Sequence, residues 1–451
     1  MASFSILVTR PTPSSVIVLG GGLAGLTAAY RLASNGLRIT LIEQRSALGG
    51  NAIQSDKEWE PYPLTISNSH DATWNLLHSL GSRISPAHLP QVPLEFLMPD
   101  GTTTAYRYTP LPQPVHVLVS LFRFNGLTWP ERWRLVSWLD QIWEGASQLP
   151  SDLAHRTADA WLATLGQGER ARETIWNPLA RWLTGNQLTH QSADTFRQAI
   201  EQTFLRSARE SRWTIVPSPH ASLLRPMIET LRASGVAVLL DTEAAQLLSD
   251  GDHVTGVLLK NGSTLQGDWY LAALPPHRLA GLLPERWLSR YAYFQQFAEL
   301  MTHATISAQI IIRQSFTKPR ILLLSRGFFY SMVAQSDGSN HTVCRFSGGG
   351  DERVDSITSD ILQASAEEVL RSVTLLAPGQ TVESFDYRRN EEGCLSLEPG
   401  AQLRRPLQRS PIANLLVSGA WTDTGWPPNN NMESAIVSAD RCVEIVHGSL
   451  A

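Results

Sequence analysis

"VIVLGGGLAGLTAAYRLASNGLRITLIEQRSALGG", residues 16–50, places three glycines between a short apolar run and a segment rich in alanine and leucine. The apolar run at 16–19 predicts a buried strand of a parallel sheet. Residues 23–35 predict a helix that ends at Asn35-Gly36, and residues 38–43 predict a second strand. The stretch therefore predicts a strand–helix–strand unit whose first turn carries the glycines.

These glycines, Gly20, Gly22 and Gly25, stand in G-x-G-x-x-G register. In such a turn the first glycine makes the tight bend, the second lets a pyrophosphate approach the backbone, and the third lets helix and strand pack closely. The helix N-terminus adds free N–H groups and a favourable dipole. Glu43, 18 residues after Gly25, stands where an acid holds ribose hydroxyls. We predict dinucleotide binding; a glycine-rich turn kept for packing alone is the alternative.

The residues after the acid narrow the choice of dinucleotide. Gln44 and Arg45 precede the pair Gly49-Gly50, which Asn51 follows. This arrangement resembles the FAD-binding family of flavin amine oxidases and phytoene-desaturase-like enzymes, in which an acid, an Arg and a Gly-Gly pair follow the second strand. NAD-binding dehydrogenases do not normally carry this extension, so the resemblance implies FAD. Asn51 replaces an Arg of the family, which puts one pyrophosphate contact in question.

Length, composition and residue spacing limit the domain number, the partners and the cellular location that we expect of the protein. A chain of 451 residues predicts two domains with a large shared core, and a net charge of −4 gives no reason to expect nucleic acid as a partner. Cys344, Cys394 and Cys442 cannot form a disulfide framework, so a reducing cytoplasmic location is expected. No apolar stretch approaches about 18 residues, so no membrane span is expected. The His and Cys spacings predict no metal site.

The central segment 235–276 alternates apolar and polar positions, with Asp250-Gly251 and Asn261-Gly262 as hairpin turns. In the resembling flavoproteins the chain returns to the FAD domain here. The resemblance implies that backbone around Ala244 meets the adenine. An ordinary β-meander is the alternative that the sequence leaves open.

The C-terminal segment 414–446, "NLLVSGAWTDTGWPPNNNMESAIVSADRCVEIV", predicts a buried strand, a glycine turn and a helix from near Met432. That helix start is a second N-terminus, suited to a flavin carbonyl or the ribityl chain. The segment resembles the closing motif of the same superfamily, most strongly that of hydroxysqualene dehydroxylases, and "WNPLARWLTGNQ" at 176–187 supports this branch. Ala420 replaces the family's acid after Gly419, and Asp423 is either a compensating acid or a solvated turn residue.

The glycine motif and the resemblance together give these candidate cofactor-binding residues: Gly20, Gly22, Leu23, Ala24, Gly25, Glu43, Gln44, Arg45, Gly49, Gly50, Asn51, Ala244, Gly419, Ala420, Asn431 and Met432. We expect the FAD to be bound non-covalently. Cys394 lies near the offset at which some monoamine oxidases attach flavin, but it matches by one residue only. An external reductant such as NADPH is left open.

The substrate is expected to be a hydrophobic small molecule. The amine-oxidase branch places a lysine near the flavin on a substrate-domain strand, and "THATISAQIIIRQS" at 302–315 contains none. The isoprenoid branch needs a hydrophobic tunnel, and residues 113–150 suit a tunnel lining or a lipid-facing mouth. The helical face and its interfacial neighbours are Leu135, Trp138, Leu139 and Ile142, and Arg132, Trp133 and Trp143. Packing of this face in an ordinary core is the alternative.

Candidate catalytic residues lie in the C-terminal motif. In the resembling dehydroxylases, reduced flavin would deliver hydride to an allylic carbon as hydroxide departs, which requires an acid near the leaving oxygen. Asp423 is the candidate acid, and Trp426 is a candidate to stabilise a developing allylic cation through its ring face, with packing as the alternative. Residues 58–71, "EWEPYPLTISNSHD", depart from an Asp-x-Gly-x-His-like segment of the family. His70 is interpreted as an exposed loop histidine, with a remnant of that segment as the alternative.

The predicted fold is α/β: an FAD-binding Rossmann-type (GR2-like) domain with an inserted α+β substrate domain. The FAD domain is expected to comprise residues 1–80, 226–280 and 406–451, and the substrate domain 81–225, mostly helical, and 281–405, sheet and helices.

The predicted function is that of an FAD-dependent oxidoreductase acting on a long hydrophobic isoprenoid, most like hydroxysqualene dehydroxylase. The location is expected to be cytoplasmic, with peripheral membrane contact left open. A carotenoid-type desaturase, a flavin amine oxidase and a flavin-binding protein without catalysis are the alternatives. The sequence predicts no oligomeric state.

Overall fold

A computed structural model of the chain describes residues 14–52, 64–85, 89–144, 150–216, 220–314, 318–338, 340–349, 357–427 and 432–450. The strands in these ranges are β1 (Ser15–Leu19), β2 (Arg38–Ile42), β3 (Leu64–Ser67), β4 (Leu94–Leu97), β5 (Thr103–Tyr106), β6 (Trp213–Val216), β7 (Ala237–Leu239), β8 (Ala244–Asp250), β9 (His253–Leu259), β10 (Thr264–Leu265), β11 (Trp269–Ala272), β12 (Thr302–Ile312), β13 (Arg320–Leu324), β14 (Phe329–Ser336), β15 (Thr342–Gly349), β16 (Ser384–Leu395) and β17 (Leu415–Val417). The α-helices are α1 (Leu23–Ser34), α2 (Asp71–Ser79), α3 (Val115–Arg123), α4 (Trp129–Glu144), α5 (Ala158–Thr164), α6 (Glu169–Ala171), α7 (Asn177–Thr184), α8 (Ala193–Phe204), α9 (Arg225–Ala233), α10 (Pro276–Ala280), α11 (Glu285–Arg290), α12 (Ala292–Ala298), α13 (Ser359–Ser372) and α14 (Met432–Leu450).

The first domain, called here the nucleotide domain, is built on a parallel sheet in the order β17-β11-β1-β2-β7. Strand β1 is buried from its second residue onward, as expected for a parallel sheet covered on both faces. Helices α1, α9 and α14 cover one face, where Leu26, Met227 and Ile436 belong to a single apolar cluster. Strands from the N-terminal, central and C-terminal parts of the chain therefore share one sheet.

The opposite face of this sheet is covered by the antiparallel meander β8–β9–β10 and by the helices α10, α11 and α12. Trp287 of α11 and Phe294 of α12 pack in the same apolar cluster as Ile17 of β1. Residues 281–300 therefore pack with the nucleotide domain, and the chain enters the second domain only at β12. The predicted boundary at 281 falls too early, because nothing in the local sequence of these short helices ties them to the sheet.

The second domain, called here the substrate domain, is built on a sheet in the order β16-β12-β15-β14-β13-β4-β5. Its pairings are antiparallel except for that of β4 with β13. Helices α3 to α8 contribute to an apolar cluster on one face, where Trp161 and Phe196 join Tyr330 of β14. Leu362 and Leu370 of α13 belong to a separate cluster with alternate residues of the strands. The sheet is thus covered on both sides.

A two-stranded antiparallel ribbon of β3 and β6 joins the domains. Trp213 at one end of β6 belongs to the core of the substrate domain, while Val216 at its other end belongs to that of the nucleotide domain. The ribbon therefore lies at the junction, beside the cavity described below. Within the described ranges, no helix combines the length and the apolar character that crossing a bilayer requires.

Candidate active site

The glycine turn lies between β1 and α1, and its glycines have different reasons to lack side chains. A Cβ on Gly25 would lie 1.9 Å from the carbonyl oxygen of Gly20, so close packing of helix on strand excludes it. A Cβ on Gly22 would meet no protein atom closer than the Gly50 Cα, at 4.0 Å. Gly22, the N-cap of α1, instead borders open space. The free N–H groups of the first helical turn begin at this residue.

The glycine pair after β2 packs directly on this turn. Gly49 forms an isolated parallel bridge with Gly22, and the Gly49 N–H donates to the Gly21 carbonyl at 2.8 Å. The Arg45 guanidinium donates to the carbonyl of Gly50 at 3.2 Å. The two glycine segments therefore form one backbone surface.

Glu43 immediately follows β2 and is 7% exposed. One of its carboxylate oxygens accepts the Gly21 N–H at 2.7 Å, and the other accepts the Arg45 N–H at 2.9 Å. An ionised carboxylate offers about four lone-pair directions, so each oxygen retains capacity for one further donor. Glu43 thus fixes the glycine turn and lines the cavity, where binding of ribose hydroxyls by its remaining lone pairs stays a prediction.

A cavity of about 840 Å³ runs from this turn between the two domains. The predicted cofactor residues that line it are Gly20, Gly22, Leu23, Ala24, Glu43, Gln44, Arg45, Gly49, Gly50, Asn51, Ala244, Gly419, Ala420 and Met432. Gly25 lies behind the turn, in its packing role, and Asn431 lies outside the described residues. Chain segments more than 350 positions apart thus meet on one surface, from the β2 end through Ala244 to the start of α14.

The loop between β17 and α14 closes the far end of the nucleotide half, and Arg405 holds it in place. Arg405 is 5% exposed. Its guanidinium donates hydrogen bonds to four loop carbonyls, those of Ala420, Trp421, Thr422 and Trp426. Burial lowers the pKa of Arg405 to about 10, partly countered by Asp423. Nothing in the local sequence distinguishes Arg405 from the chain's other arginines, so sequence reasoning missed it.

Helix α14 holds the same loop from the other side. Ser438 accepts the Gly419 N–H at 2.9 Å, Ser434 donates to the Ala420 carbonyl at 3.1 Å, and Arg441 donates to the carbonyls of Asp423 and Thr424. These contacts fix the backbone of Ala420 although its side chain carries no carboxylate.

The two predicted catalytic residues are placed differently. Trp426 lines the cavity. The Asp423 carboxylate accepts the Gly425 N–H at 3.1 Å, and Asp423 is not among the described residues that line the cavity. Asp423 therefore serves as a turn residue, which corrects its assignment as the acid. Its side chain satisfies the backbone of its own turn, as short acidic side chains commonly do.

Glu433, the acid of the C-terminal motif, has a structural contact that sequence reasoning missed. Its carboxylate, in a residue 2% exposed, accepts the N–H groups of Ala72 and Thr73, both at 2.8 Å, and the Thr73 hydroxyl at 2.7 Å. It therefore caps the N-terminus of α2. Burial raises the pKa of Glu433, and these hydrogen bonds oppose the rise.

The substrate half of the cavity is walled by Trp182 and Leu183 of α7, Thr203 of α8, Trp213 of β6 and Tyr330 of β14. We call this part the aromatic chamber. Thr302, Ser331 and Ser347 reach it from the sheet, and the predicted lysine-free strand β12 contributes only Thr302 among its described residues. The wall formed by the helices and β6 is apolar, which suits a hydrophobic ligand, while the sheet side of the cavity also carries Asn390 and Glu392 of β16.

His70 belongs to this chamber, which corrects its interpretation as an exposed loop histidine. It is 7% exposed, immediately precedes α2 and lines the cavity. Burial, aided by the charge of Arg206, lowers its pKa to about 3. The local sequence "SNSHD" has a loop composition, and the packing that buries it comes from distant segments.

Cys394 also lines the cavity, at the end of β16. It is 2% exposed, and its thiol lies 3.5 Å from the carbonyl oxygen of Thr184. Burial raises the pKa of the thiol well above its usual range. The side chain is therefore a thiol rather than a thiolate, which opposes nucleophilic attachment to a flavin.

A second cavity of about 80 Å³ lies in the helical layer behind the aromatic chamber. It is lined almost wholly by apolar atoms, including Leu135, Trp138 and Leu139 of the helical face proposed from the sequence. These three side chains are buried in the core of the substrate domain, while Trp133 is 53% exposed. Helices α7 and α8 separate the two cavities: Leu179 lines the small one, and Trp182 lines the aromatic chamber. The side chains of Ile142 and Trp143 lie outside those described.

The nucleotide half fits an FAD molecule on these observations. Open space at Gly22 admits a pyrophosphate, Glu43 has unused acceptor capacity beside it, and the starts of α1 and α14 both face the cavity. Fold and site together define a protein of two domains in which a dinucleotide-binding turn and an aromatic chamber border one cavity.

Comparison with known proteins gives the family. The model of the flavin containing amine oxidoreductase family matches residues 23–447, so the chain belongs to this family. It is similar to the 15-cis-phytoene desaturase of Arabidopsis thaliana, at 25% identity over 99% of this chain and 82% of that protein. It is similar to the 15-cis-phytoene desaturase of Synechococcus elongatus, at 24% identity over 94% of each. Among solved structures, cyclohexylamine oxidase from Brevibacterium oxydans superposes with a TM-score of 0.71 at 15% identity, covering 97% of this chain and 100% of that one.

These comparisons confirm the predicted superfamily, the Rossmann-type FAD-binding fold and FAD as the cofactor. The protein is an FAD-dependent oxidoreductase. The assignment of the individual cofactor residues stays a prediction, supported by their common placement along the cavity.

Proposed function

We propose that the protein acts on a long isoprenoid and removes an allylic hydroxyl group reductively, as hydroxysqualene dehydroxylases do. The observation that carries the proposal is the aromatic chamber, an apolar site that adjoins the nucleotide half of the same cavity. The similarity to proteins named as phytoene desaturases supports an isoprenoid class of substrate.

The reaction balances with an external electron donor. The alcohol loses its C–O bond and gains a C–H bond, while two electrons and two protons are consumed and water is released. Bound FAD supplies hydride chemistry, and a reductant of the NADPH class supplies the electrons. The chain contributes a dry chamber whose tryptophan rings exclude water and whose few polar groups orient the substrate.

The test is anaerobic. The purified flavoprotein is reduced, hydroxysqualene is added, and the visible flavin spectrum and the products are followed together. The proposal predicts reoxidation of the flavin with stoichiometric squalene formation. Reduced protein without substrate is the control for slow leakage of oxygen. A flavin that stays reduced while hydroxysqualene is recovered unchanged would contradict the proposal.

A carotenoid-type desaturase is the second candidate, and the names of the relatives favour it. Desaturation runs electron flow in the opposite direction, from substrate to oxidised flavin. Addition of phytoene to the oxidised protein under anaerobic conditions would then bleach the flavin without any added reductant. The two candidates thus give opposite spectral changes in matched experiments.

Amine oxidation has less support, because the strand that carries a lysine in that branch has none here. Hydrogen peroxide production from a panel of primary and secondary amines tests it. A flavin-binding protein without catalysis would retain the yellow cofactor and respond to none of these substrates.

We also propose peripheral contact with a membrane surface. Trp129 and Trp133 are 56% and 53% exposed, and both rings contact Phe122, with centroids 5.2 and 5.1 Å away. The Arg132 guanidinium lies over the Trp129 ring at 5.9 Å. Exposed aromatic rings beside arginine suit the interface of an anionic bilayer. Sedimentation with anionic vesicles should fall severalfold in the double variant W129S/W133S, but not when the exposed Leu403 is replaced by Ser.

A further inference from the structure

The His70 side chain is held in one orientation inside the aromatic chamber. Its ring meets Trp213 edge to face at 5.5 Å and 85°, and Trp426 at 5.3 Å and 86°. Its backbone is already satisfied, since its N–H donates to Ser67 and its carbonyl accepts from Trp74. Two indole rings thus fix the imidazole against the wall of the cavity that it lines.

No described residue hydrogen-bonds the imidazole, although His70 is only 7% exposed and its ring lines the cavity. Its lowered pKa makes it neutral in ordinary buffers, so one ring nitrogen is a donor and the other an acceptor. A ring nitrogen that faces the cavity can bond to water, and a ligand that displaces this water without replacing its hydrogen bond loses affinity.

The surroundings of His70 limit which kind of ligand group can form a hydrogen bond with its imidazole. Trp182, Trp213 and Trp426 supply apolar surface, and Arg206 lies over the outer Trp426 ring at 5.3 Å. The Arg206 guanidinium is engaged with the Gln202 side chain at 2.6 Å. The same guanidinium lies 3.9 Å from the Glu210 carboxylate, so its charge is already paired. A charged ligand group would lose its hydration against the indole rings, whereas a neutral oxygen loses far less.

We propose that His70 hydrogen-bonds the oxygen of a neutral alcohol on an otherwise apolar substrate, and so makes the chamber prefer oxygenated isoprenoids to hydrocarbons. This inference rests on the proposed isoprenoid substrate and adds what selects among isoprenoids. A pure hydrocarbon leaves the imidazole unsatisfied, so its binding forfeits the hydrogen bond that an alcohol makes.

The test compares binding of hydroxysqualene with binding of squalene to the oxidised FAD-loaded protein, read from tryptophan fluorescence and the visible flavin spectrum. The wild type should bind the alcohol about three- to tenfold more tightly than the hydrocarbon, as one neutral hydrogen bond allows. H70F keeps an aromatic ring between the indoles and removes both nitrogens. It should bring the ratio close to unity through weaker alcohol binding, with squalene affinity unchanged.

Two further variants keep the result interpretable. H70N restores a donor and should recover part of the preference, which a purely structural role of His70 would not produce. H78F makes the same replacement at an exposed position of α2 that is not among the described residues lining the cavity, and it should leave the ratio unchanged. Equal affinities for the two ligands in the wild type, or an undiminished ratio in H70F, would overturn the inference even where flavin reoxidation by hydroxysqualene upholds the dehydroxylase function. A loss of the ratio in H70F upholds it even where no turnover occurs.

Discussion

Replacement of Gly22 by alanine should separate cofactor binding from folding. The Gly22 backbone has φ −73° and ψ 179°, an extended conformation that alanine adopts freely. The added Cβ would meet no protein atom nearer than 4.0 Å. It would, however, point into the space in which the pyrophosphate of FAD is expected to lie.

The magnitudes follow from these contacts. Alanine restricts the unfolded chain and so stabilises by about 0.4–1 kcal/mol, while a poorer N-cap removes a few tenths. The free energy of unfolding of the apoprotein should therefore change by less than about 0.5 kcal/mol. Intrusion of a methyl group into a filled site costs about 1–3 kcal/mol, which corresponds to FAD affinity roughly 5- to 150-fold weaker.

The assay is FAD titration of the apoprotein, with denaturant unfolding of the same preparations. G25A is the contrasting variant, since its Cβ would lie 1.9 Å from the Gly20 carbonyl oxygen and must displace α1. G448A, in α14 away from the cavity and with nothing near its Cβ, is the matched control for glycine-to-alanine replacement in general. Undiminished FAD affinity in G22A would refute the placement of the pyrophosphate, and a stability loss as large as that of G25A would refute the argument from open space.

Three further predictions concern the substrate side and the flavin loop. R405M should destabilise the protein by about 2–4 kcal/mol and weaken FAD binding, because buried loop carbonyls lose their donors. R404M, at a partly exposed neighbour whose partners are surface carboxylates, should change stability by less than about 1 kcal/mol in the same unfolding assay. Lowering the pH should destabilise the wild type more than H70F. The pKa of His70 is 6.5 in the unfolded chain and about 3 in the folded protein, so the unfolded state gains protons as the pH falls. The difference should reach about 2 kcal/mol between about pH 7 and pH 5, and parallel stability curves for the two proteins would contradict it. Denaturation in acid should release all flavin into the supernatant, because the Cys394 thiol is buried and un-ionised; flavin that precipitates with the protein would show a covalent link.

The sequence predicted the glycine turn and its acid well, because the backbone of this part of the fold is shaped for one kind of ligand. Gly20, Gly22 and Glu43 lie within one strand–helix–strand unit, so their spacing in the sequence maps directly onto their spacing in the fold. The backbone itself forms this surface, and backbone demands appear in a sequence as glycines at set intervals. Helix α1 and strand β2 accordingly end within a residue of their predicted bounds.

The substrate chamber was predicted poorly because its geometry is tertiary. Glu433 caps α2 across 361 sequence positions, and His70 lies beside that cap between Trp213 and Trp426. No local pattern links residues so far apart, and a histidine in a polar segment therefore looks exposed. The same reason hid Arg405, whose four carbonyl partners lie 15 to 21 positions away in a loop without regular structure.

The replacement of the family's acid by Ala420 does not by itself indicate a protein that has lost its cofactor. The carboxylate expected there would have faced the ribityl chain, but the backbone of the same loop is held by Arg405 and by Ser434, Ser438 and Arg441 of α14. Burial of the Arg405 guanidinium lowers its pKa to about 10, and the hydrogen bonds that it donates to the loop carbonyls offset this desolvation. The described backbone beside Ala420 is therefore held in place without the family's acid. The R405M variant tests whether FAD binding needs the loop to be held by Arg405. Wild-type FAD affinity in a destabilised protein would show that it does not.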